Sequence, residues 1–330
     1  MNEENFAEWL RRQGYQVIRS ESGAWYNAGP RVFQAFPYGE VIQPSEAELR
    51  RLMLGRGIAA LRYSTPLSAP QGMVSYHVIL NGPYLLENLT HQSRTNIQRG
   101  LCACHVEPIP LTRLAEEGWL LQYDTLKRQG RLRSMSQAQW RRICLSAQGL
   151  PGFEAWGAMV DGELAASLLT VRVGDTFYVP YAQSLHKYMD RHVNHALFYI
   201  SASAMISSSG IRRVFFSLHS LDAPESVNTF KFRMGFSALP VRQRVVFHPL
   251  LVPFANEASH QILQKLVKRY PESHIVSKTE GMLHFYLSGR HPIEKQDWPT
   301  CLEGWKVSNF QAAGNPDHLQ KRPADVLAKE

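Results

Sequence analysis

The sequence predicts a mixed α/β (α+β) fold in two halves, each a twisted, largely antiparallel sheet with helices, the halves packed back to back. Three observations predict it. Between Phe153 and Gln183, apolar runs flank Asp161-Gly162, a dipeptide suited to a type I′ hairpin, and Gly174-Asp175 offers a second tight turn, so three antiparallel strands follow one another. A loop rich in cations and histidine then leads to a small-residue helix, Ala196 to Ser208, with Gly210 as its stop, and to a buried strand, Val214 to Ser217. The first hundred residues show the same alternation of helix and strand patterns around one sheet.

In chain order, Phe6 to Gln13 reads as an amphipathic helix with Phe6, Trp9 and Leu10 on one side and Gly14 as its cap. Strand-like pieces follow at Tyr15 to Ile18 and Val32 to Phe36, with Gly29-Pro30 turning between them. Ser45 and Glu48 form a capping box after Pro44, and the helix it opens closes at Gly55. Ala59 to Tyr63 and Val74 to Leu80 are strands. Tyr84 to Arg99 reads as a helix ended by Gly100, and Cys102 to Val106 as a strand.

Leu111 to Arg128 and Ser136 to Gln148 are helical, the second opened by a Ser136/Gln139 capping box. The basic loop between them, Lys127 to Arg133, is a solvated connector. After the three-strand stretch, Asp222 and Glu225 form a capping-box pattern that opens a short helix ending at Gly235. Ala238 to Phe247 is a closing strand, Glu257 to Tyr270 a helix and His284 to Leu287 an apolar remnant; beyond about Gln311 the chain turns polar and loses periodicity, which predicts a frayed end.

Composition bounds the function. A chain of 330 residues, 44% hydrophobic and 19% charged, suits a soluble globular protein of two domains or one double domain. No apolar run approaches 18 residues and the acidic N-terminus lacks a signal-peptide core, so a cytoplasmic protein without a transmembrane segment is expected. Four scattered cysteines make no disulfide framework, and Cys102 and Cys104 read as neighbours on a buried strand, with no second ligand pair for a metal. A net charge of +8 favours an anionic ligand such as CoA, a nucleotide-linked sugar, tRNA or a lipid phosphate surface. No G-x-S-x-G elbow is present.

Two segments carry a family resemblance. Leu85-Leu86-Glu87-Asn88-Leu89 through Ser93-Arg94-Thr95-Asn96-Ile97-Gln98-Arg99-Gly100 is similar to the helix before the hinge in FemAB-like proteins. Phe230-Lys231-Phe232-Arg233-Met234-Gly235-Phe236 resembles the FK-x-x-FG signature near the end of that branch of the acetyltransferase-like (GNAT) superfamily, with Met234 replacing an aromatic residue. Gln98-Arg99-Gly100 likewise departs from the Arg-Lys pair common there. The order β-β-β-loop-α-β-α-β is also that of a GNAT fold. The resemblance implies tandem GNAT-like halves, residues 1–110 and 111–290, followed by an extension over 291–330.

It also implies an N-acyltransferase, moving an acyl or aminoacyl group from acyl-CoA or aminoacyl-tRNA to an amine, on a cell-envelope or polysaccharide precursor or a small molecule. No metal is needed. A different class of function stays open beside it: a catalytically silent GNAT-like binding module for an anionic partner. Such transfer requires juxtaposition of donor and amine, a route for the amine proton and a cation or amide for the oxyanion.

Lys231 is the catalytic candidate, since the resemblance gives the lysine of FK-x-x-FG the charge developing on the reacting carbonyl; without it, a lysine on a short helix is an ordinary solvated residue. The loop from Leu185 to Asn194 stands where a GNAT cradles pyrophosphate, yet no glycine lies between Gly174 and Gly210. Any donor phosphate would fall to Lys187, Arg191 and His192 with the helix N-terminus at Asn194; the alternative is a loop whose histidines are merely solvated. Tyr181 and Gln183 alternate onto one face of the strand entering that loop, and His219 follows the end of the next strand. Arg94 and Arg99 could bind an acidic acceptor or simply complement a helix C-terminus.

Overall fold

The structure is a computed structural model that describes residues 3–130, 135–219, 226–271 and 273–306. Helix α1 (Glu3–Arg12) precedes an antiparallel meander of β1 (Val17–Arg19), β2 (Ala24–Gly29) and β3 (Val32–Phe36). Helix α2 (Glu46–Arg56) then crosses to β4 (Ala60–Thr65), which pairs parallel to β3, and β5 (Met73–Asn81) follows. Next come α3 (His91–Ala103), β6 (His105–Ile109), α4 (Leu111–Arg128) and α5 (Gln137–Ser146). A second antiparallel meander, β7 (Phe153–Val160), β8 (Glu163–Val173) and β9 (Thr176–Ser184), repeats the first. Helix α6 (Val193–Ser207) crosses to β10 (Arg213–Leu218), parallel to β9; α7 (Ser226–Arg233) leads to β11 (Ser237–Phe247), and α8 (Glu257–Arg269) and α9 (His274–Ser288) close the described chain.

The fold is thus a structural duplication: a meander, a crossover helix, a parallel strand and a closing strand, twice. The sheet is mixed and mostly antiparallel, as expected, but the halves do not stack back to back. Their strands run on in one sheet, β1-β2-β3-β4-β11-β5-β10-β9-β8-β7-β6. The reason is an exchange at the centre. Strand β11 inserts between β4 and β5, and β5 pairs with β10, so each half's closing strand is bonded to the parallel strand of the other half. Neither half then has an open edge at the junction, which removes the exposed backbone donors and acceptors a separate sheet would leave. Strand β6, within the first hundred and ten residues, pairs with β7 of the second meander.

Apolar layers line both faces. Phe6, Trp9 and Leu10 of α1 join Trp140 and Ile143 of α5 and Leu114 of α4 over one face. Ile97 of α3, Val193 and Leu197 of α6 and the Phe230–Phe236 segment cover the other. Local chemistry places these helices as the sequence indicates. Ser136 and Gln139 form a complete capping box at α5. Ser45 caps α2 through the Glu48 amide, but the Glu48 carboxylate leaves the box to bind the Ser22 amide at 3.0 Å and the Ser22 hydroxyl. The Asp161-Gly162 turn takes positive φ at both residues.

Several local readings change; α2, for one, runs past the expected stop at Gly55 to Arg56 and is capped by Gly57. Strand β2 adds a strand, not read from the sequence, between the Tyr15 to Ile18 piece and the Gly29-Pro30 turn. Helix α9 replaces the short apolar remnant at 284–287. Helix α3 begins only at His91, capped by Thr90, and continues through Gly100 to Ala103, so Cys102 is exposed on its last turn and Cys104 half-buried just beyond, not paired on a strand. Gly100 is not a stop signal. A Cβ there would lie 2.5 Å from the His192 carbonyl oxygen and 3.1 Å from Ala196 Cβ, so its lack of a side chain lets α3 and α6 touch. The Asp222/Glu225 cap, residues 131–133 of the basic loop and the chain beyond Gln311 lie outside the described residues.

These two glycine environments give opposite expectations. Gly100→Ala forces the α3–α6 contact apart and should lower stability by about 1–3 kcal/mol. Gly55, inside α2 with nothing within 4 Å of an added Cβ, should gain about 0.5–1 kcal/mol as Ala. Urea denaturation of the two variants checks both signs.

Candidate active site

The site grows from a parting of strands. Strands β9 and β10 pair in parallel over three positions, Arg213↔Thr176, Val214↔Phe177 and Phe215↔Tyr178, and then separate. Pro180 stands two residues past the last pair; lacking an N–H, it cannot continue a ladder. On its other side β9 stays bonded to β8, with a register shift between Leu169 and Val171 opposite this stretch. Strand β10 carries its own irregularity between Phe215 and Ser217. The result is a slot holding a cavity of about 290 Å³, lined on its two strands by Tyr178 to Tyr181 and by Phe215 to Leu218. The first half supplies the rest of the lining, including Trp9, Tyr26, Gln34 and Tyr38.

Lys231 stands behind one wall. Its ammonium donates to Ser217 Oγ at 2.8 Å and lies 4.7 Å from the ring centroid of Phe216, both of which line the cavity. The side chain is half-buried, and burial pushes its pKa down to about 8. Two family-like segments meet to hold it. Ser93 Oγ of α3 donates to the Arg233 carbonyl at 2.6 Å, and the Tyr84 hydroxyl donates to the Met234 carbonyl at 2.5 Å. Gly235 turns at φ +82°, where an added Cβ would lie 2.6 Å from Leu89 Cδ2, and Met234 is fully buried.

The other expected site residues divide. Tyr181 lines the slot, its ring packed edge-on against Trp140 at 5.6 Å, with its hydroxyl pKa raised by burial. Gln183 is off the cavity lining: it is buried, and its amide donates to Ser167 Oγ at 2.8 Å. His219 lies one residue past the cavity wall, stacked on Tyr76 at 4.6 Å, with its backbone N–H bonded to the Tyr76 carbonyl. Lys187 pairs with Glu163 at 2.7 Å and Arg191 with Asp161 at 3.7 Å, both across to the β7–β8 turn, and both cations lie against the Tyr188 ring. His192 occupies the N-cap of α6 at φ +56° without a side-chain cap bond, and Asn194 donates to Ser184 Oγ at 3.1 Å. Arg94 is half-buried and donates to the Glu87 carbonyl at 3.3 Å, whereas Arg99 is exposed.

Three features of the site were not read from the sequence. Ser217, the hydroxyl nearest Lys231, sits on a strand read only as buried core. Tyr26 and Tyr38 come from the other half; they share a hydrogen bond, and burial pushes Tyr26 up to about 12 and raises Tyr38 well above the ordinary tyrosine value. His195, one turn into α6, packs edge-on against Phe230 at 5.1 Å, and burial beside His192 lowers its pKa to about 4. The one local signal was Pro180 in mid-strand, which marks where β9 loses a neighbour.

No protein-family model and no curated protein matches this chain. Solved structures do. FemX overlays at TM-score 0.51 with 12% identity, covering 75% of this chain and 92% of that one. The C-terminal domain of a protein assigned as a lysylphosphatidylglycerol synthetase from Agrobacterium fabrum overlays at 0.50 with 12% identity, over 74% and 88%. A tandem GNAT protein from the clavulanic acid biosynthesis pathway overlays at 0.42 with 12% identity, over 70% and 82%. The chain has a GNAT/FemAB-like fold. At these identities the likeness speaks for the fold alone, and the slot between β9 and β10 has to be read from its own residues.

The titration of Lys231 makes the site measurable through stability. The folded chain releases this proton near pH 8, the unfolded chain near the ordinary lysine value of 10.5. Between those values the unfolded state binds more protons, so stability rises with pH across the window. Lys231→Met removes the burial of a charge. It should therefore raise the melting temperature at pH 7 and flatten the rise between about pH 8 and 10.5; melts of both proteins across that range test the assignment, and an unchanged slope would contradict it.

Proposed function

We propose that the chain is an N-acyltransferase of the GNAT/FemAB-like type. The observation that carries this is the open slot between the diverging parallel strands, with the Lys231 ammonium set against Ser217 and Phe216 on its wall. A carbonyl seated in the slot beside Ser217 would meet a positive charge in a water-poor setting, where such a charge most favours a developing oxyanion. The acceptor amine attacks the carbonyl carbon, the oxyanion collapses, and the donor's leaving group departs as the amine loses its proton.

The donor is acyl-CoA or aminoacyl-tRNA. Its phosphates fall to the N-terminus of α6 with His192 and Asn194, and to Lys187 and Arg191, which would exchange Glu163 and Asp161 for phosphate oxygens. The acceptor is an amine of an envelope or polysaccharide precursor, or a small amine, met in the cytoplasm. Names among the neighbours, a lysylphosphatidylglycerol synthetase included, support the envelope side of this reading. Arg94, Arg99, Tyr181, Gln183 and His219 complete the proposed binding set, with Tyr181 alone of these on the cavity lining. The runner-up, a silent module for an anionic partner, draws on the glycine-free loop; the open slot favours catalysis.

Incubating the purified chain with acyl-CoA or charged tRNA and candidate amines tests the reading. Turnover is expected with one donor class, about 10²–10³-fold lower for Lys231→Met, and falling above about pH 8 as the ammonium deprotonates. No turnover with any amine, together with no donor binding by calorimetry, would overturn it. Donor binding should also weaken in Lys187→Ala/Arg191→Ala and with added salt, more steeply for tRNA than for CoA.

A further inference from the structure

Eight of the seventeen exposed large apolar side chains among the described residues fall between Leu250 and Ile275, far along the chain from the slot. They begin in a short 3-10 turn, Pro249–Phe254, where Leu250 is 76% and Phe254 68% exposed, and continue through Ile262 and Leu266 of α8 to Ile275, 72% exposed, at the start of α9. A soluble surface seldom gathers such residues in one segment without a partner for them.

The orientation is fixed rather than incidental. On the inner side of α8, buried His260 binds Glu280 of α9 through Nε2 at 2.8 Å and stacks on His284 at 5.6 Å. That clamp holds α8 against α9 and leaves Ile262 and Leu266, four residues apart on one stripe, facing outward. Cations share that side. Lys265, Lys268 and Arg269 are exposed beside the apolar stripe, and Glu257 in the first turn is the helix's sole carboxylate.

We propose that this surface docks the protein on an anionic phospholipid bilayer, Leu250, Phe254, Ile262 and Leu266 entering the acyl boundary and Lys265, Lys268 and Arg269 pairing with headgroup phosphates. Apolar residues alternating with lysine and arginine on one side of a helix are what an interfacial helix requires. A second copy of this chain fits less well, because a two-fold contact would bring the same cations together without carboxylates to meet them. The inference does not rest on the transferase reading.

Sedimentation of the full chain with vesicles tests it. Binding is expected to vesicles of equal parts phosphatidylcholine and phosphatidylglycerol, and to be weaker to phosphatidylcholine alone. Leu250→Ser/Phe254→Ser and, separately, Lys265→Glu/Lys268→Glu/Arg269→Glu should each lower the partition coefficient by about tenfold or more. All five positions are exposed, so unchanged melting curves should accompany the loss. Absence of binding to the anionic vesicles, or equal binding by both variants, would overturn the proposal. So would a wild-type dimer that the serine variant dissociates while vesicle binding is absent, since that would make the surface an interface between copies.

Discussion

Strand β10 can leave β9 because its other edge is already held. Over Arg213 to Leu218 it pairs antiparallel with β5, a strand donated by the first half and buried on both faces from Met73 to Leu80. Without that partner, the residues past Phe215 would lose both neighbours and leave backbone groups unpaired inside the molecule. The exchange of β5 and β11 therefore makes the slot possible as well as the sheet continuous. It also ties the halves into one cooperative unit, since separating them would break β5 from β10 and β11 from β4 together.

The same centre accounts for where Lys231 sits. Helix α7 follows β10 in the chain, and Lys231 on it bonds Ser217 of the slot-lining stretch of β10. Segment 230–236 is then pinned from the first half's side by Ser93, Tyr84 and Leu89. A lysine on a loosely held helix would swing its ammonium into solvent. Fixed by backbone carbonyls at Arg233 and Met234, it is held against Phe216 instead, and the cost of partial burial appears as its lowered pKa. Burying this charge costs stability at the pH where it is carried.

Local structure was largely legible because local rules govern it. Asp161-Gly162, the Ser136/Gln139 cap and the apolar stripe of α1 act within a few residues, and each stands where the sequence indicates. Gly100 shows the limit: the same residue serves as a helix stop or as a close-packing point, and only the distant His192 carbonyl decides which. Strand exchange is illegible for the same reason, since nothing in β5 or β11 states its neighbour. Of the candidate site, Lys231 was proposed through the resemblance and Tyr181 through strand alternation; Gln183, two residues on, is buried against Ser167 and off the cavity lining, which alternation alone does not tell. Ser217, Tyr26 and Tyr38 belong to the site through tertiary placement, which no local pattern records.

The duplication also explains why the slot is found in the second half. In the first half β3 and β4 likewise pair in parallel over three positions, Val32↔Ala60 to Gln34↔Arg62. There, however, the chain returns: Val41 bridges Ser64 in parallel and the Ile42 amide bonds the Ser64 carbonyl at 2.9 Å, so the parting is closed again. The excursion that leads to this closure, Pro37 to Glu40, is not idle. It lays Gly39 against Phe215, where an added Cβ would come within 2.7 Å of the ring, and sends Tyr38 into the other half's cavity. Glu40 reaches the Tyr178 hydroxyl at 3.3 Å. One copy of the repeat has thus kept its strands apart and become the slot. The other has sealed its own and become a wall of its neighbour's, so the two halves, alike in topology, are unlike in what they can bind.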